Sequence, residues 1–139
     1  MLKRFGQFAM DKGAIALLLV AVVLAAVSGC ASKTALALEA KDNGRQIELE
    51  KGQTLAISLE GNPSTGYTWE MVESEDSILR QVGEIEFEAE SDLVGAPGTQ
   101  TLRFEAVESG QTELKLVYHR PWEKDVDPLE TFTIQVTVR

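Results

Sequence analysis

The feature that most limits how this chain can fold is an alternation of apolar and polar residues, repeated along most of its length. Leu55, Ile57 and Leu59 alternate with small or polar neighbours in "TLAISLEG", and Ile85, Phe87 and Ala89 alternate with glutamates in "EIEFEAE". The same period runs through Leu102, Phe104 and Ala106, through Leu114, Leu116 and Tyr118, and through Phe132, Ile134, Val136 and Val138. Ile47 with Leu49, and Tyr67 with Trp69 and Met71, complete the set. Successive side chains of a strand point to opposite faces, so each run can bury one face and wet the other. Gly, Pro, Asn, Asp or Ser punctuate the runs at roughly ten-residue spacing. Helical periodicity is absent, apart from a single turn allowed near "SEDSILR". The expected fold is all-β, an antiparallel immunoglobulin-like sandwich of about seven or eight strands. With one cysteine in the chain, no disulfide can pin the sheets, and packing must hold them.

The N-terminal residues have a different texture. Lys3, Arg4 and Lys12 precede the unbroken apolar run "AIALLLVAVVLAAV", which is too short to cross a bilayer comfortably and reads as the core of a secretory signal. It ends in "VSGC", which resembles the lipobox of bacterial lipoproteins. That resemblance implies cleavage before Cys30 and acylation of its thiol and new amino group. Residues 1–29 are then a signal peptide that is removed, and residues 30–34 are the lipidated cysteine and a tether. Residues 35–139 form one domain. Met10 is an equally good start, because "MDKG" and the apolar run make a complete shorter leader. The expected location is the bacterial cell envelope, with a lipid anchor on Cys30 holding the protein to a membrane. Ala31 lacks the acidic character that retains many such lipoproteins at the inner membrane, so the outer membrane is expected where the source has two.

The formal net charge is −9, and the leader's basic residues are counted in that figure, so the exported part is more acidic still. Such a surface repels nucleic acid and favours basic partners. No nucleic-acid role, cofactor or metal is expected, and a monomer is.

If every strand reverses direction, alternate loops gather at one end of the sandwich. Those loops are residues 61–66, 91–100 and 119–130, provided that residues 78–82 add no full crossing. They are also the least ordinary stretches of the domain. The first, "GNPSTGYTWE", packs Pro63 and Gly66 around two hydroxyl residues, and so describes a stiff loop rather than a simple connection. The second, "SDLVGAPGTQ", brackets Pro97 with Gly95 and Gly98 and carries Leu93 and Val94. The third, "HRPWEKDVDP", sets Trp122 after Arg120 and Pro121. By contrast, the opposite end offers plain turns, "EKGQ" and "ESGQ". Function is expected at the unusual end.

His119 is the only histidine, so a hydrolase would have to pair it with a serine such as Ser64, yet no serine sits in a nucleophile elbow. Carboxylates alone make a poor metal set, and "KDVDP" is too short for a calcium loop. No catalytic residue is assigned, and the protein is not expected to be an enzyme. Trp122 could fold back to cap the core, but Arg with Trp in one loop is the composition of an interface hot spot. Trp69, by its strand parity, belongs in the core.

Taken in order and at their spacing, "NPSTGYTW", "GAPGT" and "RPW" resemble the chagasin-like inhibitors of papain-family cysteine proteases. The resemblance covers about 35–139 and implies a three-pronged wedge. Asn62, Pro63, Ser64, Thr65, Gly66 and Tyr67 would form a central prong at the catalytic cysteine, with Thr65 nearest its thiol. Gly95, Ala96, Pro97 and Gly98 would form the second, Pro97 standing where the family commonly has glycine. Arg120, Pro121 and Trp122 would form the third. The expected partner is therefore a papain-like cysteine protease, inhibited reversibly by occlusion of its cleft. The competing expectations are an envelope binding module that uses the same loops on another protein, and the hydrolase centred on His119 and Ser64.

Overall fold

The computed structural model describes residues 34–73 and 77–139. The signal peptide, Cys30, most of the tether and residues 74–76 of "SEDSILR" lie outside the described residues. Among the described residues, nine strands run in the order β1 (Leu36–Glu39), β2 (Gln46–Leu49), β3 (Thr54–Gly61), β4 (Thr68–Met71), β5 (Leu79–Gln81), β6 (Glu86–Ala89), β7 (Gly98–Ala106), β8 (Gly110–His119) and β9 (Glu130–Val138). They form two sheets. One has the order β1-β3-β7-β5, with β6 also paired to β7, and the other has the order β2-β9-β8-β4. This is the expected immunoglobulin-like sandwich.

The core is the inner face that the alternation marks. Leu55, Ile57 and Leu59 of β3 meet Leu102, Phe104 and Ala106 of β7. From the other sheet come Ile47, Leu49, Trp69, Leu114, Leu116, Phe132, Ile134, Val136 and Val138. All are buried, and burying each large apolar side chain stabilises the fold by roughly 1.5–3 kcal/mol.

Two parallel pairs stand apart from the antiparallel pattern. β1 lies parallel to β3, and β2 lies parallel to β9. A single 3-10 turn, Ala40–Asp42, carries the chain from one sheet to the other between them. Asn43 then continues the ladder with its side chain, donating from Nδ2 to the Thr131 carbonyl at 3.2 Å and accepting from the Thr133 amide at 2.9 Å.

The count exceeds eight because one crossing is split. β5 and β6 both run antiparallel to β7, along different halves of it. Between the Gln81–Phe104 and Glu86–Thr101 pairings, the crossing strand spends four residues where β7 spends two, and Gly83, at φ 72°, takes up the excess. Since β5 and β6 share a direction, residues 78–82 add no reversal, and the parity of the loops is preserved. Leu79 and Arg80 are extended here, not turned as the sequence allowed.

β6 departs from its expected burial. Phe87 is 42% exposed and Ala89 is exposed, so this apolar face is not in the core; only Ile85, just before the strand, packs against it. β6 is an edge strand, and its glutamates are the means by which edges resist pairing with other chains.

The turn between β1 and β2 holds an ionised carboxylate. The Glu39 amide donates to Asp42 Oδ2 at 2.8 Å, and Arg45 Nη1 donates to Oδ1 at 2.5 Å. The backbone hydrogen bond first, and Arg45 second, hold Asp42 below its ordinary pKa of 3.8, against the opposing effect of burial. A depressed native pKa contributes stability that is present above the unfolded value and lost as pH falls through the native one. Asp42→Asn is therefore expected to lower the urea midpoint at pH 7, with the gap to the parent closing below about pH 4. Urea titrations across that range check this.

Candidate functional site: three loops at one pole

Strand register brings the three loops together. Gly61, which ends β3, pairs with Gly98, which begins β7, so the first and second loops leave from one pole. Thr68, which begins β4, pairs with His119, which ends β8, and this brings the third loop beside them. The sheets are joined beneath the loops by Gln100, a buried amide at an inward position of β7. Its Oε1 accepts the Trp69 amide at 3.3 Å, and its Nε2 donates to Thr68 Oγ1 at 3.2 Å.

The first loop is a closed unit. Pro63–Thr65 make one 3-10 turn capped by Asn62, whose Oδ1 accepts the Ser64 amide at 3.2 Å and the Ser64 hydroxyl. Thr65 Oγ1 donates to the Asn62 carbonyl at 2.6 Å, and the Gly66 amide donates to the Pro63 carbonyl at 3.0 Å. Gly66 ends the turn at φ 83°, in the left-handed region where a β-carbon is strained. Pro63, Ser64 and Thr65 are exposed at the tip, while Asn62, Gly66 and Tyr67 are half-buried.

Neighbouring loops hold this turn from both sides. Asn62 Nδ2 donates to the Gly95 carbonyl at 3.0 Å, tying the first loop to the second. Arg120 Nε donates to the Thr65 carbonyl at 3.1 Å, tying the third to the first. The Arg120 guanidinium also lies 4.5 Å from the centre of the Tyr67 ring and donates from Nη1 to Glu123 Oε1 at 3.1 Å. Below, Tyr118 stacks on Trp69 with centroids 5.2 Å apart, meets Tyr67 at 5.4 Å, and accepts the Asn62 amide on its hydroxyl at 2.9 Å. An aromatic column thus runs from the core to the base of the first loop.

The residues singled out in sequence occupy different places in this assembly. Pro121 and Trp122 are exposed in the third loop, and the Trp122 ring rests on Gly66, where a β-carbon would lie 2.3 Å from its Cη2. Gly95 is exposed at φ 79° and Ala96 half-buried. Pro97, which has no N–H to leave unpaired, closes the second loop by accepting the Glu90 amide on its carbonyl at 3.0 Å. Gly98 is buried within β7 against the Glu88 carbonyl, and so it shapes the loop without being presented by it. Arg120, chosen as a contact residue, is engaged in bracing the other loops.

The alternation marks Tyr118 as a strand residue without a part in the site, and it leaves Gln100 unassigned. Gln100 was detectable as a polar residue on the inward parity of Leu102 and Phe104. Leu93 (77% exposed) and Val94 (fully exposed), with Trp122, Val126 and Leu129, put five large apolar side chains into water at this one pole. Monomeric surfaces seldom concentrate apolar groups in this way without a partner.

The serine and histidine of the hydrolase reading are committed elsewhere. Ser64 Oγ donates to Asn62, and His119 Nε2 is 2.6 Å from Glu70 Oε2. Among the described residues, no group of three or more His, Cys, Asp or Glu could hold a metal ion.

Comparison with known proteins points in one direction. The family described as "Chagasin family peptidase inhibitor I42" matches residues 48–136. Amoebiasin-2 of Entamoeba histolytica is 32% identical over 103 residues, covering 73% of this chain and 84% of that protein. Chagasin of Trypanosoma cruzi is 30% identical over 96 residues, covering 66% and 87% respectively. A crystal structure of a cysteine protease inhibitor from Entamoeba histolytica superposes with a TM-score of 0.66 at 30% identity, covering 76% of this chain and 96% of that one.

Proposed function

The chain belongs to the chagasin family of peptidase inhibitors, and on that premise we propose that it inhibits papain-like cysteine proteases reversibly by lodging its three loops in the active-site cleft. The observation that carries this reading is the cross-bracing of the loops. The Asn62 amide and the Arg120 guanidinium hold a 3-10 turn upright between two flanking loops, beside an exposed tryptophan.

The chemistry follows from rigidity. An inhibitor that must not be cleaved has to fill a cleft without offering the nucleophile an extended peptide bond. A turn whose carbonyls at Asn62, Pro63 and Thr65 already accept hydrogen bonds is compact and stays so. Its ordering is completed on folding, which leaves little conformational entropy to lose on binding. Thr65 at the tip faces the protease thiol, and Trp122 and Leu93–Val94 cover the walls on either side. Three such loops suit an interface of roughly 1,600 Å² in total. The acidic body favours encounter with basic surfaces.

Because occlusion forms no covalent bond, papain with its thiol carboxymethylated is expected to bind nearly as well as the native enzyme. Failure of the blocked enzyme to bind, alongside loss of intact inhibitor on incubation with active papain, would mean slow-substrate behaviour instead. Arg120→Ala is expected to weaken inhibition about tenfold by freeing the Thr65 carbonyl and uncovering Tyr67. Arg120→Lys is expected to recover little of it, because a point charge cannot both bond the carbonyl and stack on the ring. Inhibition constants for the two variants check this.

Residues 1–29 are proposed to act as a lipoprotein signal peptide and Cys30 to carry the anchor, which would place the inhibitor at the cell envelope. The support is the apolar run that ends at "VSGC". Expressed from its own leader in bacteria, the protein is expected to partition into detergent, and Cys30→Ser to move it to the aqueous phase.

A further inference from the structure

Both ends of the domain leave from the pole opposite the loops. Leu36 pairs with Leu55 near the start of β3, whereas the first loop follows Gly61 at that strand's other end. Gln53 Nε2 donates to the Thr34 carbonyl at 3.1 Å and so fixes where the chain joins the domain. The Arg139 carbonyl accepts the Lys51 amide at 3.0 Å at this same pole. β3 spans 8 residues. At about 3.3 Å of rise per residue, the two poles stand roughly 26 Å apart.

Between Cys30 and Thr34 the chain can reach at most about 14 Å when fully extended. This leash is shorter than the domain is long. A domain turned over, with its loops against the membrane, would lift Thr34 beyond what the leash can span. The competing pull is real, because Leu93, Val94, Trp122, Val126 and Leu129 all crowd the loop pole and would be drawn to lipid. Chain length overrules it. We infer that the anchored protein holds its three loops away from the membrane and so inhibits a protease dissolved in the aqueous phase while it is itself membrane-bound. This rests on the inhibitor and Cys30-anchor readings given above.

The test uses the lipid-bearing protein, beginning at Cys30, in phosphatidylcholine vesicles and begins with fluorescence. Trp69 is buried and Trp122 is 65% exposed, so quenching reports on the third loop. Brominated lipid is expected to leave the emission unchanged, and acrylamide in the water to quench it as strongly in vesicles as in detergent. Quenching by brominated lipid would overturn the inference, and this arm does not depend on inhibition. Papain added outside the vesicles is then expected to be inhibited by the outward-facing copies with the stoichiometry measured in detergent. Inhibition in detergent but not on vesicles would also overturn the inference. If neither form inhibits while the quenching is as expected, the orientation stands and the inhibitor reading falls.

Discussion

Trp122→Ala is expected to weaken inhibition of papain by about 10²-fold, the roughly 2–3 kcal/mol typical of a hot-spot tryptophan at an interface. The same change is expected to leave the melting temperature within a degree or two. The separation of the two effects follows from where the ring lies. Trp122 is 65% exposed and its ring lies over Gly66 at the surface, so its removal opens no cavity in the core. What disappears is a large apolar face held beside the first loop. A parallel fall in stability and inhibition would place the ring among the supports of the fold and remove it from the proposed contact surface. Thermal melts and inhibition constants measured on the same preparation decide between them.

Gly98→Ala is expected to have the largest effect on the fold at this pole. A β-carbon there would lie 2.1 Å from the Glu88 carbonyl oxygen and 2.8 Å from Ala89 Cα, both of them backbone atoms. A side-chain tip could swing aside, but a paired strand cannot. β6 must therefore separate from β7, and the Pro97 carbonyl loses the Glu90 amide that closes the second loop. Overpacking of this kind destabilises by about 1–3 kcal/mol. Inhibition is expected to fall with it, because the Gly95 carbonyl that receives Asn62 moves as well. Amide exchange should show β6 and the second loop losing protection while β8 and β9 keep theirs. Uniform loss across both sheets would contradict a local origin.

The contrast between these two residues shows how much of the site could be read from the chain. Both lie in motifs that stand out in the sequence, and the alternating direction of the strands placed the three loops that carry them at one pole. Which residue is presented and which is structural was not legible, since that depends on what each one packs against. Gly98 looks like loop chemistry and is a strand residue. Arg120 looks like an interface anchor, and its guanidinium is spent on Thr65, Tyr67 and Glu123. The same limit explains β6. A period of two tells which side chains share a face, but not whether another sheet covers that face, and beside Phe87 nothing does so fully. The core strands were legible because both inner faces are apolar apart from Gln100 and Thr112. The parallel pairings of β1 with β3 and of β2 with β9 were not, because the short turn around Asp42 that carries the chain between the sheets has no period of its own.

The measurement that bears most directly on the central claim is a titration of active-site-counted papain with the protein under tight-binding conditions, followed by dilution. The expected result is a linear fall in activity to a one-to-one endpoint, recovery on dilution, and an intact inhibitor at the end. A folded protein that leaves papain and a cathepsin L-type enzyme fully active would contradict it, and would assign the braced loops to some other partner.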